Sequence, residues 1–203
     1  MSNLNLTYIV TVIISILISL TIHEFMHAFV GYKLGDDTAK LQGRLSFNPL
    51  DHIDPLMTVV LPIATILFFG TPILAAKPVP FNPGRVKYEE FGGALIAAAG
   101  PLSNLALAFV GAFVIRLFPV GGAVVTAIST FVTLNVALFV FNSIPIPPLD
   151  GSRVLYAFAP EPLQDIMRQI EPYGLIIVFV LVLSGGSAGL LMHLNQSVLN
   201  LLP

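Results

Sequence analysis

Apolar residues run without a charge from Leu6 to Ile22 and continue through Phe25, Phe29 and Val30 until Gly35-Asp36-Asp37 interrupts them. Leu6 to Leu34 therefore predicts one helix, long enough at 1.5 Å per residue to cross a hydrocarbon core of about 30 Å. Polar and apolar residues then alternate from Thr38 to Asn48, the pattern of a small strand or hairpin at the membrane interface. A second apolar stretch, Pro55 to Ala76, is broken by Pro62, Gly70 and Pro72 and predicts a re-entrant or broken helix. After a polar loop, Lys77 to Glu90, two long apolar segments, Phe91 to Leu117 and Ala123 to Phe141, flank the turn at Pro119–Gly122 and predict a helical hairpin. Ser143 to Gly151 reads SIPIPPLDG, whose prolines forbid a regular helix and predict an extended loop at membrane depth. Ser152 to Glu171 carries enough charge to lie at the interface. Pro172 to Leu202, apolar again with a Gly185-Gly186 break, predicts a last span or two half-helices.

Composition sharpens this pattern into a class. Of 203 residues 56% are hydrophobic and 10% charged, and the mean hydropathy is +0.90; a soluble domain carries about 25% charged residues. The expected fold is an all-α polytopic membrane protein with four to five transmembrane or re-entrant helices and a small interfacial β hairpin, in a single domain over residues 1–203. A net charge of -2 without a basic cluster excludes nucleic acid as a partner. With no cysteine there is neither a disulfide framework nor a thiolate ligand, so a metal here is held by imidazole and oxygen. The N-terminus has no lysine or arginine before the apolar run and no small-residue cleavage site, so the first helix is expected to stay in the mature protein.

Three ionisable residues nevertheless sit inside the first apolar helix: His23, Glu24 and His27. Such groups are costly within a membrane and read as functional. His-Glu-x-x-His places two imidazoles one helical turn apart on one face, able to share a metal, with the glutamate beside them as a base. The alternative is polar bonding between helices, which does not account for the glutamate. Asp150, at the end of the proline-shaped loop, is the candidate third ligand, because zinc hydrolases use three protein ligands and keep one position open. Its other reading is an Asp-Gly cap on the helix that follows. His52 and Asp54 make a second polar pair, but in a surface loop their expected fate is hydrogen bonding. His193 stands alone near the Gly-rich break. Gly100-Pro101 suits close helix approach and a local break.

Taken together, His23-Glu24-Phe25-Met26-His27, Gly100-Pro101-Leu102-Ser103-Asn104 and Asn142-x-x-Pro145-x-Pro147-Pro148-Leu149-Asp150-Gly151 resemble the site-2 protease family of intramembrane zinc metalloproteases. GRLSFNPLDHIDP and AAKPVPFNP are similar to the compact bacterial members that lack added regulatory domains. The resemblance implies one zinc per chain held by His23, His27 and Asp150, Glu24 as general base, and Asn142 and Asn104 as substrate-binding residues. It also implies a transmembrane protein as substrate, cut in regulated intramembrane proteolysis. From residue type alone, Asn142 either donates to a developing oxyanion or caps the preceding helix, and Asn104 either bonds between helices or contacts substrate. A metal transporter is the competing class, as is an inactive scaffold; no second copy of the motif marks the repeated halves common in transporters. If Asp150 meets the first helix, the exit ends of that helix and of Ala123–Phe141 share a side. Lys33, Lys40, Arg44, Lys77, Arg85 and Lys87 fall in the loops on that side, which the positive-inside rule makes cytoplasmic. A multi-pass protein of the cell membrane, its active site nearer the cytoplasmic face and in contact with lipid, is the resulting expectation.

Overall fold

The computed structural model describes residues 6–54, 79–119, 121–184 and 188–203, with isolated positions between 54 and 79. The re-entrant helix expected over Pro55–Ala76 and the Gly185-Gly186 break lie outside the described residues. Among those described, every regular element is helical.

Helix α1, Leu6–Lys33, turns its polar residues inward. Ser15, Ser19, His23, His27 and Gly31 recur every fourth position and are buried, while Leu6, Val10, Ile13, Ile14 and Ile18 are exposed. That inversion is what lipid dictates: apolar side chains cost nothing on the outside, and polar ones must find partners within. Lys33 ends the helix, and Gly35, at φ 102°, turns the chain away.

Where a hairpin is expected, the structure has a single helical turn, α2, Thr38–Leu41. The Asp36 carboxylate accepts from the Thr38 N–H and hydroxyl, which starts a turn instead of a strand. Residues 44–48 pass back along α1, with Phe47 stacked on Phe25 at 3.9 Å between ring centroids, and the 3₁₀ turn Pro49–His52 follows, capped by the Asn48 side chain. No strand ladder exists among the described residues, so the β hairpin over 38–48 is replaced by this helical turn and packed loop.

A 3₁₀ turn, Pro83–Arg85, leads into α3, Glu89–Leu117, which begins two residues before the expected Phe91. The loop is tied to the end of α1 by Lys87 N–H to the Leu34 carbonyl at 2.9 Å and by Asn82 N–H to the Asp36 carboxylate at 2.6 Å. Helix α4, Gly122–Asn142, returns antiparallel. Small residues let the pair close: a Cβ on Gly111 would fall 2.7 Å from Val132 Cγ2, and Ala108, Ala112, Val132, Val136 and Val140 form the core between them.

The proline loop then delivers α5, Asp150–Phe158, against α3. Helix α6, Glu161–Ile170, a 3₁₀ turn at Glu171–Tyr173, α7, Gly174–Leu183, and α8, Ala188–Leu201, complete the chain. The N-terminus of α7 seats closely on the loop, where a Cβ at Gly174 would meet the Pro147 carbonyl at 2.6 Å. Among the described residues four stretches are long and apolar enough to cross a membrane: Leu6–Lys33, Glu89–Leu117, Gly122–Asn142 and Glu161–Leu183. This is a helical membrane protein, with α1, α3 and α4 packed together and α5 closing their shared end.

Candidate metal centre

Helical spacing alone puts His23 and His27 on one face of α1; the fold adds the rest. Their Nε2 atoms stand 3.0 Å apart. Asp150, on the first turn of α5, brings Oδ2 to 3.2 Å from His23 Nε2 and 3.4 Å from His27 Nε2. No side-chain cap bond starts α5 at Leu149, and Asp150 faces the imidazoles. All three residues are largely buried.

The outer ring nitrogens fix the tautomers. His27 Nδ1 lies 2.7 Å from the Ile96 carbonyl, which can only accept, so Nδ1 carries the proton. His23 Nδ1 donates to Asn104 Oδ1 at 2.6 Å. The orientation of that amide is settled on its far side, where Asn104 Nδ2 donates to the Ser19 carbonyl at 3.3 Å and to Asn135 Oδ1 at 2.9 Å. Asn135 in turn donates to the Phe131 carbonyl at 2.9 Å. In both neutral rings the bare Nε2 lone pair therefore points at the other ring and at the Asp150 carboxylate. Three acceptors converging on one point repel one another unless a positive charge lies among them.

Donor spacing fits zinc. Tetrahedral ligands at roughly 2.0–2.2 Å from the metal stand about 3.3–3.6 Å from one another, close to the separations of 3.0, 3.2 and 3.4 Å found here. Helix α3 leaves room at this point through Gly100, where a Cβ would sit 2.3 Å from His27 Nε2 and 2.6 Å from His23 Nε2. Gly100 thus serves close approach as the sequence suggests, and what it approaches is the pair of imidazoles.

Glu24 is buried and lines, with His23, His27, Asp150 and Asn142, a cavity of about 610 Å³. Asn142 Nδ2 donates one hydrogen to the Leu138 carbonyl at 2.9 Å, within the last turn of α4. Asn104 does not line this cavity. It is fully buried behind His23 with its amide bonded to protein on both sides, joining three helices and holding the His23 imidazole. His52 Nε2 donates to the Ser46 carbonyl at 2.8 Å, and His193 is exposed on α8; neither lines the cavity. Two contributors escape sequence reasoning. Asn135 belongs to no local motif, and Arg153, one turn after Asp150 on α5, lines the same cavity.

Fold and site together define a class: a polytopic helical membrane protein built around a centre of two histidines and one carboxylate, the ligand set of a metallohydrolase. Comparison with known proteins makes it specific. The chain is 41% identical over 162 residues to "Putative zinc metalloprotease YwhC" of Bacillus subtilis, covering 75% of this chain and 71% of that protein. It is 30% identical over 163 residues to "Putative zinc metalloprotease Rip2" of Mycolicibacterium smegmatis, covering 77% of this chain and 60% of the relative. Over 90 residues it is 41% identical to "Putative zinc metalloprotease MJ0611" of Methanocaldococcus jannaschii, covering 44% and 46%. No family model and no solved structure matches the chain. The chain belongs to this zinc metalloprotease family, of the compact site-2 protease type.

Proposed function

We propose that this protein is an intramembrane zinc endopeptidase that hydrolyses peptide bonds in or near transmembrane segments of other membrane proteins, in regulated proteolysis. The observation that carries the reading is the convergence of His23 Nε2, His27 Nε2 and Asp150 Oδ2 beside Glu24, in a cavity bounded by apolar helices. His23, His27 and Asp150 hold the zinc, and Asn104 fixes the His23 ring. When bound, zinc supplies Lewis-acid polarisation of the scissile carbonyl and acidification of water to a pKa near 7. Glu24 takes the proton from the attacking water and returns it to the leaving amine. Asn142 spends one amide hydrogen on Leu138, and the second is free to meet the oxygen on which negative charge develops. A transmembrane substrate must unwind locally first, because its helical hydrogen bonds shield its carbonyls from attack.

The cell membrane is the proposed location, with the active site nearer the cytoplasmic face. Lys33, Lys40, Arg85 and Lys87 lie in the connections around the α1–α3 end where the metal ligands meet. The test is Glu24→Gln, reconstituted in liposomes and compared with the wild type in cell membranes. Zinc content should stay at one per chain while turnover falls about 10²–10⁴-fold, and uncut membrane proteins should accumulate. Undiminished proteolysis would remove Glu24 as the base, and zinc flux across the liposome would favour a transporter.

A further inference from the structure

The metal-site cavity has a neighbour that the proteolytic reading leaves unassigned. A second cavity, of about 490 Å³, adjoins it, and Phe81, Gly93 and Arg153 line both. Gly93 contributes no side chain to this shared wall. Arg153 sits one helical turn beyond Asp150, so one face of α5 carries the carboxylate at the metal centre and the guanidinium at the wall between the two cavities. That guanidinium lies 4.8 Å over the Phe81 ring and donates to Glu171 at 2.9 Å. A guanidinium has five N–H donors, and one bond to a carboxylate leaves others for the carbonyls of a chain running past.

The charges of the second cavity do not cancel. Arg153 is paired with Glu171, and Arg168 with Asp165 and the Tyr156 hydroxyl. Glu89 and Glu90 also line this space and form no ion pair among the described residues. Carboxylates in a first helical turn are favoured by the helix dipole wherever they occur; these two also line a cavity that shares a wall with the metal site. Membrane segments carry their lysines and arginines in the cytoplasmic flank. We propose that the second cavity seats the basic flank of the substrate: the chain crosses the metal centre, runs past the stacked Phe81–Arg153 pair, and lays its lysines or arginines against Glu89 and Glu90. The proposal rests on the endopeptidase reading and adds to it a basis for substrate choice.

The test uses zinc-loaded protein in liposomes and two synthetic transmembrane peptides of about 30 residues, identical except for a flank of lysines or of glutamates. The wild type should cut the lysine-flanked peptide with a kcat/KM roughly three- to ten-fold higher at low salt, a preference that shrinks as salt rises. Glu89→Lys with Glu90→Lys should invert it, and the milder pair Glu89→Gln with Glu90→Gln should erase it. In the Glu24→Gln protein, a photoreactive group on the lysine flank should cross-link to Tyr156 or Met167, which line the cavity. Cleavage indifferent to flank charge in all three proteins, with cross-links elsewhere, would overturn the proposal and leave the endopeptidase standing. A wild type that cuts neither peptide would overturn both.

Discussion

Asn104 shows how much of a metal centre lies one bond behind its ligands. Its carbonyl oxygen receives the His23 proton, and its amide is anchored to Ser19 and Asn135, so three helices share the task of aiming one nitrogen. Outer partners of metal-bound histidines typically contribute 10–100-fold in affinity or activity. Asn104→Ala should therefore weaken zinc binding by roughly that factor, as measured by competition with a chelator. Asn104→Asp, which keeps an acceptor for His23, should recover part of the loss; equal defects in both variants would mean that the residue only fills space. Gly100→Ala makes the complementary case. The added methyl would lie within 2.3–2.6 Å of the histidine nitrogens. The expected outcome is loss of zinc and of proteolysis with helical content retained, read by metal analysis and circular dichroism; normal zinc content would show that α3 shifts freely away from α1.

At the level of elements, the first motif was legible because its chemistry is local: a spacing of four positions within one helix decides that His23 and His27 face together. Three apolar spans, Leu6–Lys33, Glu89–Leu117 and Gly122–Asn142, were legible from length and hydropathy for the same reason, whereas the fourth, Glu161–Leu183, takes in residues to Glu171 whose charge reads as interfacial. Asp150 needed the proline loop to mark it, since its partners lie more than 120 positions earlier in the chain. Asn135 and Arg153 carry no such mark and became visible only when α4 and α5 were docked. The segment 38–48 misled because alternation is a strand signal only where a partner strand exists. Here the Asp36 side chain folds Thr38 back into a turn, and Phe47 finds a ring on α1 instead. Asp36 also has a pH signature. Burial pushes its carboxyl up, but bonds from Thr38 and the Asn82 N–H, with Arg85 nearby, outweigh this and leave it below the usual range. Because the folded-state pKa is depressed, the stabilisation is complete above the unfolded value of about 3.9 and is lost as pH falls through the lower folded value. Asp36→Asn should remove about 1.5–3 kcal/mol at neutral pH and flatten the acid limb of the unfolding curve; an unchanged acid limb would assign that pH dependence elsewhere.

On the scale of the whole molecule, one end of the helical packet carries both the metal ligands and the basic connections, which makes its orientation measurable. The chain has no cysteine, so a single Lys87→Cys change creates a unique label. A membrane-impermeant maleimide should reach it from the cytoplasmic side only; labelling from the opposite side alone would invert the topology. The packet exists to bring α5 to α1, and everything proposed here depends on Asp150 completing the centre that the two histidines begin. X-ray absorption at the zinc edge, on purified wild type and on Asp150→Ala, tests that most directly. The wild type should show two imidazole nitrogens and a carboxylate oxygen at about 2.0–2.2 Å, and the variant should lose the carboxylate and most of its bound metal. Zinc held with the same ligands and the same affinity in both proteins would contradict the account.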